Sequence, residues 1–424
     1  MDKMKILFTL LIFPVWLWGG ELTSYMHFDG ENGGHFGWSI CGCDLNGDRD
    51  NDIIVGAPLF TPTDSLTSIG AVYIFWGGEL LDNEPDMVIY GQAVRDQFGI
   101  DVACAGDYNG DGYDDLLVGA NVALDIGRAY IFYGGPDMDD IPDQIFTGEN
   151  IVDNYGYAVS YMGDVNLDGF DDVMVGALYN DALGNRTGRT YLYFGAEEPD
   201  TLPGMVFTAP ESLMDFGCDI SGGGDYNGDN APDILVGAVE AGMYWMAPGE
   251  ALLFFGGTLL DNMPDLRVEG ESPMDFFGGV VSWIGDFNGD GYDDFISGAY
   301  NNSDIDSSAG KAYIYLGGEE VSEEPELVLN GNFENEGFGC MVASAGDIDG
   351  DGYDDCAITG EVDVFTGNEV GMVHIYSGGS TPDTLRDWWA VGENEDDKFG
   401  WMVSSVGDVN GDSLPDLAIG AIGY

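Results

Sequence analysis

Seven times along the chain, an aspartate opens a nine-residue stretch in which positions 1, 3, 5 and 9 all carry a side-chain oxygen. The sets are Asp44, Asn46, Asp48, Asp52; Asp107, Asn109, Asp111, Asp115; Asp164, Asn166, Asp168, Asp172; and Asp225, Asn227, Asp229, Asp233. They continue with Asp286, Asn288, Asp290, Asp294; Asp347, Asp349, Asp351, Asp355; and Asp408, Asn410, Asp412, Asp416. Alternating oxygens on a tight loop converge on one point, and the carbonyl at position 7 can add another donor, which suits a hard cation that takes six to eight oxygens. Magnesium demands stricter octahedral geometry and keeps more water, so the pattern predicts calcium, up to seven ions. Transition metals are disfavoured because His and Cys do not cluster. The loop is not an EF-hand: position 12 of the second set is Val118, where a bidentate Glu would be needed. Position 6 is Gly112, Gly169, Gly291 or Gly352 in four sets and Arg49, Asn230 or Ser413 in the others, so the first and last loops fit least well. The competing reading is a plain Asx turn without an ion. Seven such loops, each crowding three or four acids, would repel themselves if empty.

Elements of regular length must position these loops. A Phe-Gly or Tyr-Gly pair begins at Phe36, Phe98, Tyr155, Phe216, Phe277, Phe338 and Phe399, in steps of 62, 57, 61, 61, 61 and 61 residues. Each unit reads as four short strands. In the second these are Phe98 to Ala105, Leu116 to Ala120, Ala129 to Tyr133 and Gln144 to Phe146, with the Asp loop between the first two. Runs such as Tyr-Ile-Phe are apolar at consecutive positions, which a strand tolerates when both faces are covered. Four-stranded sheets stacked around an axis meet that demand. The fold class predicted is all-β: a seven-bladed β-propeller of four-stranded antiparallel blades, closed by the N-terminal strand, with the last blade incomplete. Closure is expected because Ser24 to Gly30 matches the fourth-strand pattern of Pro85 to Gly91, while the seventh unit has only its first two strands before Tyr424.

The pairs Phe36-Gly37 and Gly56-Ala57-Pro58, kept in later units mostly as Phe-Gly and Gly-Ala, make the chain resemble the FG-GAP repeat proteins, of which the integrin α-subunit propellers are members. The resemblance covers about residues 24 to 424. It implies that the Asp loops hold calcium at one face and that ligands are met on the opposite face. The chain departs from an integrin in carrying the Asp loop in all seven units and in having no inserted adhesion domain.

Antiparallel succession puts the connections between strands one and two at the opposite end from those between two and three. The latter vary most, and in the fourth unit hold Tyr244 and Trp245. With Tyr179, Tyr300 and Phe365 in comparable loops, these are the ligand-face candidates. The alternative is that Tyr244 and Trp245 turn inward to plug the channel.

Eleven Lys and Arg stand against 77 Asp and Glu, a net charge of −66, which excludes nucleic acid as a partner. The order Met-Asp-Lys-Met-Lys, then an apolar run from Ile6 to Trp18, predicts a signal peptide over residues 1–20 and a propeller over 21–424, with no integral membrane span in the mature chain. The six cysteines sit mostly in equivalent strands of separate units and read as small buried hydrophobes. Three histidines, His27, His35 and His374, fall at unrelated repeat positions, so no catalytic residues are assigned. The function predicted is a secreted or cell-surface, calcium-binding, non-catalytic adhesion or ligand-binding module for an extracellular protein or glycan. The alternatives are a propeller module of a larger extracellular enzyme, such as a calcium-dependent polysaccharide lyase or phospholipase, and a passive structural module.

Overall fold

A computed structural model describes residues 9–13, 26–28, 30, 34–62, 67–78, 81–122, 126–181, 186–209, 215–239, 248–360, 370–392 and 398–423. Among the described residues all regular structure is β, arranged as four-stranded antiparallel sheets in a propeller. Six blades each use four consecutive strands. Blade two, for example, comprises Val102–Gly106, Asp115–Ala120, Arg128–Phe132 and Gln144–Thr147, in that spatial order. Strands two and three carry the consecutive apolar residues because neighbouring blades cover both their faces. Asp115–Ala120 is buried at every position, whereas the outer strand Gln144–Thr147 is only partly covered. Each buried aliphatic or aromatic side chain in such a stack stabilises by about 1.5–3 kcal/mol.

The paired glycines of the repeat explain how the blades meet. A Cβ built on Gly119, in the second strand of blade two, would lie 2.3 Å from the carbonyl oxygen of Gly156, the glycine of the Tyr-Gly pair in blade three. The same approach joins Gly56 to Gly99, Gly176 to Gly217 and Gly237 to Gly278. Any side chain there would drive two backbones apart. In six units the aromatic of the pair packs edge-on against the third strand of its own unit, as Phe98 does on Tyr130 at 5.4 Å and Phe36 on Tyr73 at 5.2 Å.

The remaining sheet corrects the expectation of an incomplete last blade. It is assembled from both chain ends in the order Met26–Phe28, Thr9–Phe13, Asp416–Ala421, Phe399–Gly407. The outer strand expected from residues 24 to 30 is present as Met26–Phe28. It pairs with Thr9–Phe13, which pairs in turn with Asp416–Ala421 through Leu11 opposite Ile419. Thus a segment read as part of a leader occupies the third-strand position. An uncharged apolar run satisfies either role, and counting repeats after each second strand could not find a strand that precedes the first unit. This sheet contacts blade one: a Cβ on Gly420 would meet Gly37 O at 2.3 Å, and Asn51 N donates to Asp408 O at 3.1 Å.

The cysteines bring a second correction. Cys43 and Cys104, in the first strands of blades one and two, form a disulfide with Cα atoms 5.4 Å apart. Their places in the repeat differ by two residues, and only the stagger between adjacent inner strands brings them together. Cys41, Cys218 and Cys356 are free thiols, and Cys340 Sγ lies 3.1 Å from Thr359 Oγ1.

Candidate cation loops and axial cavity

All seven Asp loops lie at the same end of the propeller, between the first and second strands of their units. Local hydrogen bonds shape each one. In loop five, Asp286 Oδ1 accepts from Gly289 N at 2.8 Å and Asp290 N at 2.9 Å, its Oδ2 accepts from Gly291 N at 2.8 Å, and Asp290 Oδ1 accepts from Tyr292 N at 3.1 Å. Asp294, at position 9, accepts from Phe287 N and from Gly317 N, tying the loop to the end of strand three. Position 6 has positive φ throughout: 81° at Arg49, 91° at Gly112, 97° at Gly169, 67° at Asn230, 91° at Gly291, 92° at Gly352 and 74° at Ser413. Arg49 and Ser413 therefore adopt the conformation that glycine takes more easily, and the loop shape is kept in both.

The donor set fits a hard cation. The structure brings one carboxylate oxygen each of Asp347, Asp349 and Asp355 within 4.8 Å of one another. Elsewhere, buried oxygens at ligand positions have no hydrogen-bond partner: Asp107 Oδ1, Asn166 Oδ1, Asp172 Oδ2 and Asn288 Oδ1. Leaving a buried polar atom unpaired costs about 1–3 kcal/mol, a cost that a coordinated ion would remove. Burial first, with neighbouring carboxylates adding to it, pushes the position 9 carboxyls up to about 7 at Asp52, Asp233, Asp355 and Asp416, and to about 8 at Asp115, Asp172 and Asp294. Backbone N–H donors oppose the shift without cancelling it.

The opposite end of the inner strands opens on a cavity of about 670 Å³ to which residues of all seven units contribute. Its lining includes Trp38, Trp401, Tyr157, Tyr300, Asp101 and Asp219. The rings of Trp38 and Trp401 are 4.8 Å apart, and the Lys398 ammonium lies 5.2 Å from the Trp401 ring. Asp101 Oδ2 accepts from Val159 N of the next blade at 2.8 Å, and Asp219 Oδ2 from Val281 N at 2.7 Å. Burial pushes Asp101 up to about 8 and Asp219 to about 7.

Of the ligand-face candidates, Tyr300 lines this cavity, stacked on Phe276 at 5.1 Å. Tyr179 lies under the Arg186 guanidinium at 4.2 Å, and Arg186 is itself bound to Asp215. Tyr244, Trp245 and Phe365 fall outside the described residues. Sequence reading missed Trp38, Tyr157 and Trp401, although a signal existed: each is the residue that follows its Phe-Gly or Tyr-Gly pair.

The FG-GAP repeat family matches residues 36–75, 101–132 and 399–424, and an FG-GAP-like repeat matches residues 286–358. The chain is 29% identical over 227 residues to integrin alpha-5 of Xenopus laevis, which covers 48% of this chain and 20% of that protein. It is 31% identical over 224 residues to integrin alpha-IIb of Mus musculus, covering 49% of this chain and 20% of the relative. With integrin alpha-PS2 of Drosophila melanogaster the identity is 33% over 232 residues, 49% of this chain and 15% of the relative. The match thus spans a fifth or less of each of these relatives. Among the described residues, no helix is long and apolar enough to cross a membrane.

Proposed function

Because the chain is an FG-GAP repeat protein with an integrin-α-like propeller, we propose that it is a secreted or cell-surface, calcium-binding and non-catalytic module that binds an extracellular protein or glycan. The observation that carries the reading is the division of the molecule into two ends: oxygen-rich loops at one, and an aromatic and acidic cavity at the other. Calcium at the loops, up to one per unit, neutralises part of a net charge of −66 and fixes the strand connections, leaving the opposite face free for a ligand. Affinities belong in the range of extracellular modules, roughly 10⁻⁴ to 10⁻³ M. The composite sheet serves as the seventh blade. Export belongs to the same proposal, with residues 1–20 as signal peptide and 21–424 as propeller; Thr9–Phe13 then holds its strand position only before cleavage.

The test has two arms. Melting with calcium and with excess chelator should give a higher midpoint in calcium, and an unchanged midpoint would falsify the cation reading. Arrays of extracellular proteins and glycans, probed with the wild type and with Trp38→Ala, Trp401→Ala, should show a calcium-dependent ligand that the double variant loses while its melting temperature in calcium holds. A ligand retained in full by the double variant would remove the cavity from the function.

A further inference from the structure

The Asp loops are not the self-contained units that their sequence pattern implies. The carboxylate at position 8 of one loop accepts the backbone N–H of the position 1 aspartate in the loop before it. Asp114 Oδ2 accepts from Asp44 N at 3.3 Å, Asp171 Oδ2 from Asp107 N at 2.8 Å, Asp293 Oδ2 from Asp225 N at 2.8 Å and Asp354 Oδ2 from Asp286 N at 2.9 Å. In the last three, the N–H of the position 8 residue returns a bond to the carbonyl of the same aspartate, at 3.5, 3.2 and 3.3 Å. The ring at position 7 closes the contact. A Cβ on Gly110 would meet Phe170 at 2.4 Å, one on Gly228 would meet Tyr292 at 2.4 Å, and one on Gly289 would meet Tyr353 at 2.3 Å.

Two positions break the series. Position 8 is Pro232 in loop four and Pro415 in loop seven, and proline has neither the N–H nor the carboxylate. The prolines occupy the same place: a Cβ on Gly163 would meet Pro232 Cγ at 2.8 Å, as one on Gly106 would meet Asp171 Oδ2 at 2.2 Å. At the remaining junction position 8 of loop one is Asn51, whose N–H donates to Asp408 O at 3.1 Å, so linked loops run from seven through one to three and from four to six. Each run also holds ligand-position oxygens in want of a partner, namely Asp107 Oδ1, Asn166 Oδ1 and Asp172 Oδ2 in the first and Asn288 Oδ1 in the second; Asp172 is wholly buried.

Resting on the calcium reading above, we propose that the loops fill as two coupled runs, seven through one to three and four to six, with Asp114, Asp171, Asp293 and Asp354 as the positioning residues between neighbours and the Asn51 backbone joining loop seven to loop one. An ion that closes on position 1 fixes that residue's backbone, and with it position 8 of the next loop. Position 8 adjoins the next loop's own ligand at position 9: Asp115, Asp172, Asp294 or Asp355. The second ion then meets a loop already ordered.

Hydrogen exchange of the full chain, followed through a calcium titration, reads a midpoint for each loop. Asp111→Ala in loop two should raise the midpoints of loops one and three about fivefold, the lower end of ordinary site coupling, and leave loops four to six unmoved. Asp290→Ala should do the reverse. Asp171→Ala should uncouple loop three from loop two, Asp171→Asn, which keeps an acceptor oxygen, should restore the coupling, and Pro232→Asp should extend it to loop four. A shift confined to the substituted loop, or one spread evenly round the ring, overturns the proposal. Should Asp171→Ala not fold, Asp171→Asn and Pro232→Asp still decide it. A wild type with no calcium-dependent protection in any loop overturns the calcium reading instead, an outcome distinct from loops that bind independently.

Discussion

At Asp172 one carboxylate oxygen accepts from Gly195 N at 2.9 Å, while the other is buried without a partner. Asp172→Asn keeps the first bond and removes the charge, so its effect should change sign with the ion. In chelator the variant should be more stable than the wild type by about 1–2 kcal/mol, since a buried carboxyl that must take up a proton to escape an unpaired charge is replaced by a neutral amide. In calcium it should be the less stable of the two. Melting both proteins under both conditions checks this, and a variant less stable in each would give Asp172 a purely structural part. The cavity carboxyls carry a pH prediction. Asp101 and Asp219 are raised to about 8 and about 7, first by burial, and Asp101 further by the charge of Asp219. A carboxyl raised in the folded state holds a proton that the unfolded chain has lost above about pH 4. Its contribution to stability is therefore full below about pH 4 and fades as pH climbs to about 8. Relative to the wild type, the double variant Asp101→Asn, Asp219→Asn should gain in melting temperature across that window. A constant difference between the two would show that neither group titrates there.

Between elements, stability rests on how closely the blades approach. Gly119→Ala places a methyl 2.3 Å from a backbone oxygen that no rotamer can move, so blades two and three must part. Overpacking of this kind costs about 1–3 kcal/mol, and a thermal melt that matches the wild type would contradict the packing described. Blade six already departs from the rule, since Thr359 stands where other units have glycine, and a Cβ on Gly400 would meet Thr359 Cβ at 3.3 Å. The Cys43–Cys104 bond acts at the neighbouring interface. It closes a span of 61 residues, for which chain entropy gives a stabilisation of about 4 kcal/mol.

Across the whole molecule, the two chain ends meet in one sheet, so an event at the N-terminus is felt at the C-terminus. Removing residues 1–20 deletes Thr9–Phe13, which pairs with both Met26–Phe28 and Asp416–Ala421. The shortened chain should melt lower than the full chain, and its amides in Asp416–Ala421 should exchange faster, because that strand loses one hydrogen-bonded edge. Equal protection in the two chains would mean that Thr9–Phe13 does not hold this edge in solution.

The 61-residue rhythm, the alternating oxygens and the consecutive apolar runs made the blades and the cation loops legible in the sequence, because each is a local pattern of spacing. Even the need for positive φ at Arg49 and Ser413 could be read there. What the sequence could not show depends on residues from different units meeting: Cys43 with Cys104, Thr9–Phe13 with Asp416–Ala421, Trp38 with Trp401, and Asp171 with the backbone of Asp107. A repeat specifies what each unit contains. The ring decides which atoms of one unit face those of the next, and the cavity, the composite sheet and the links between loops all arise from that placement.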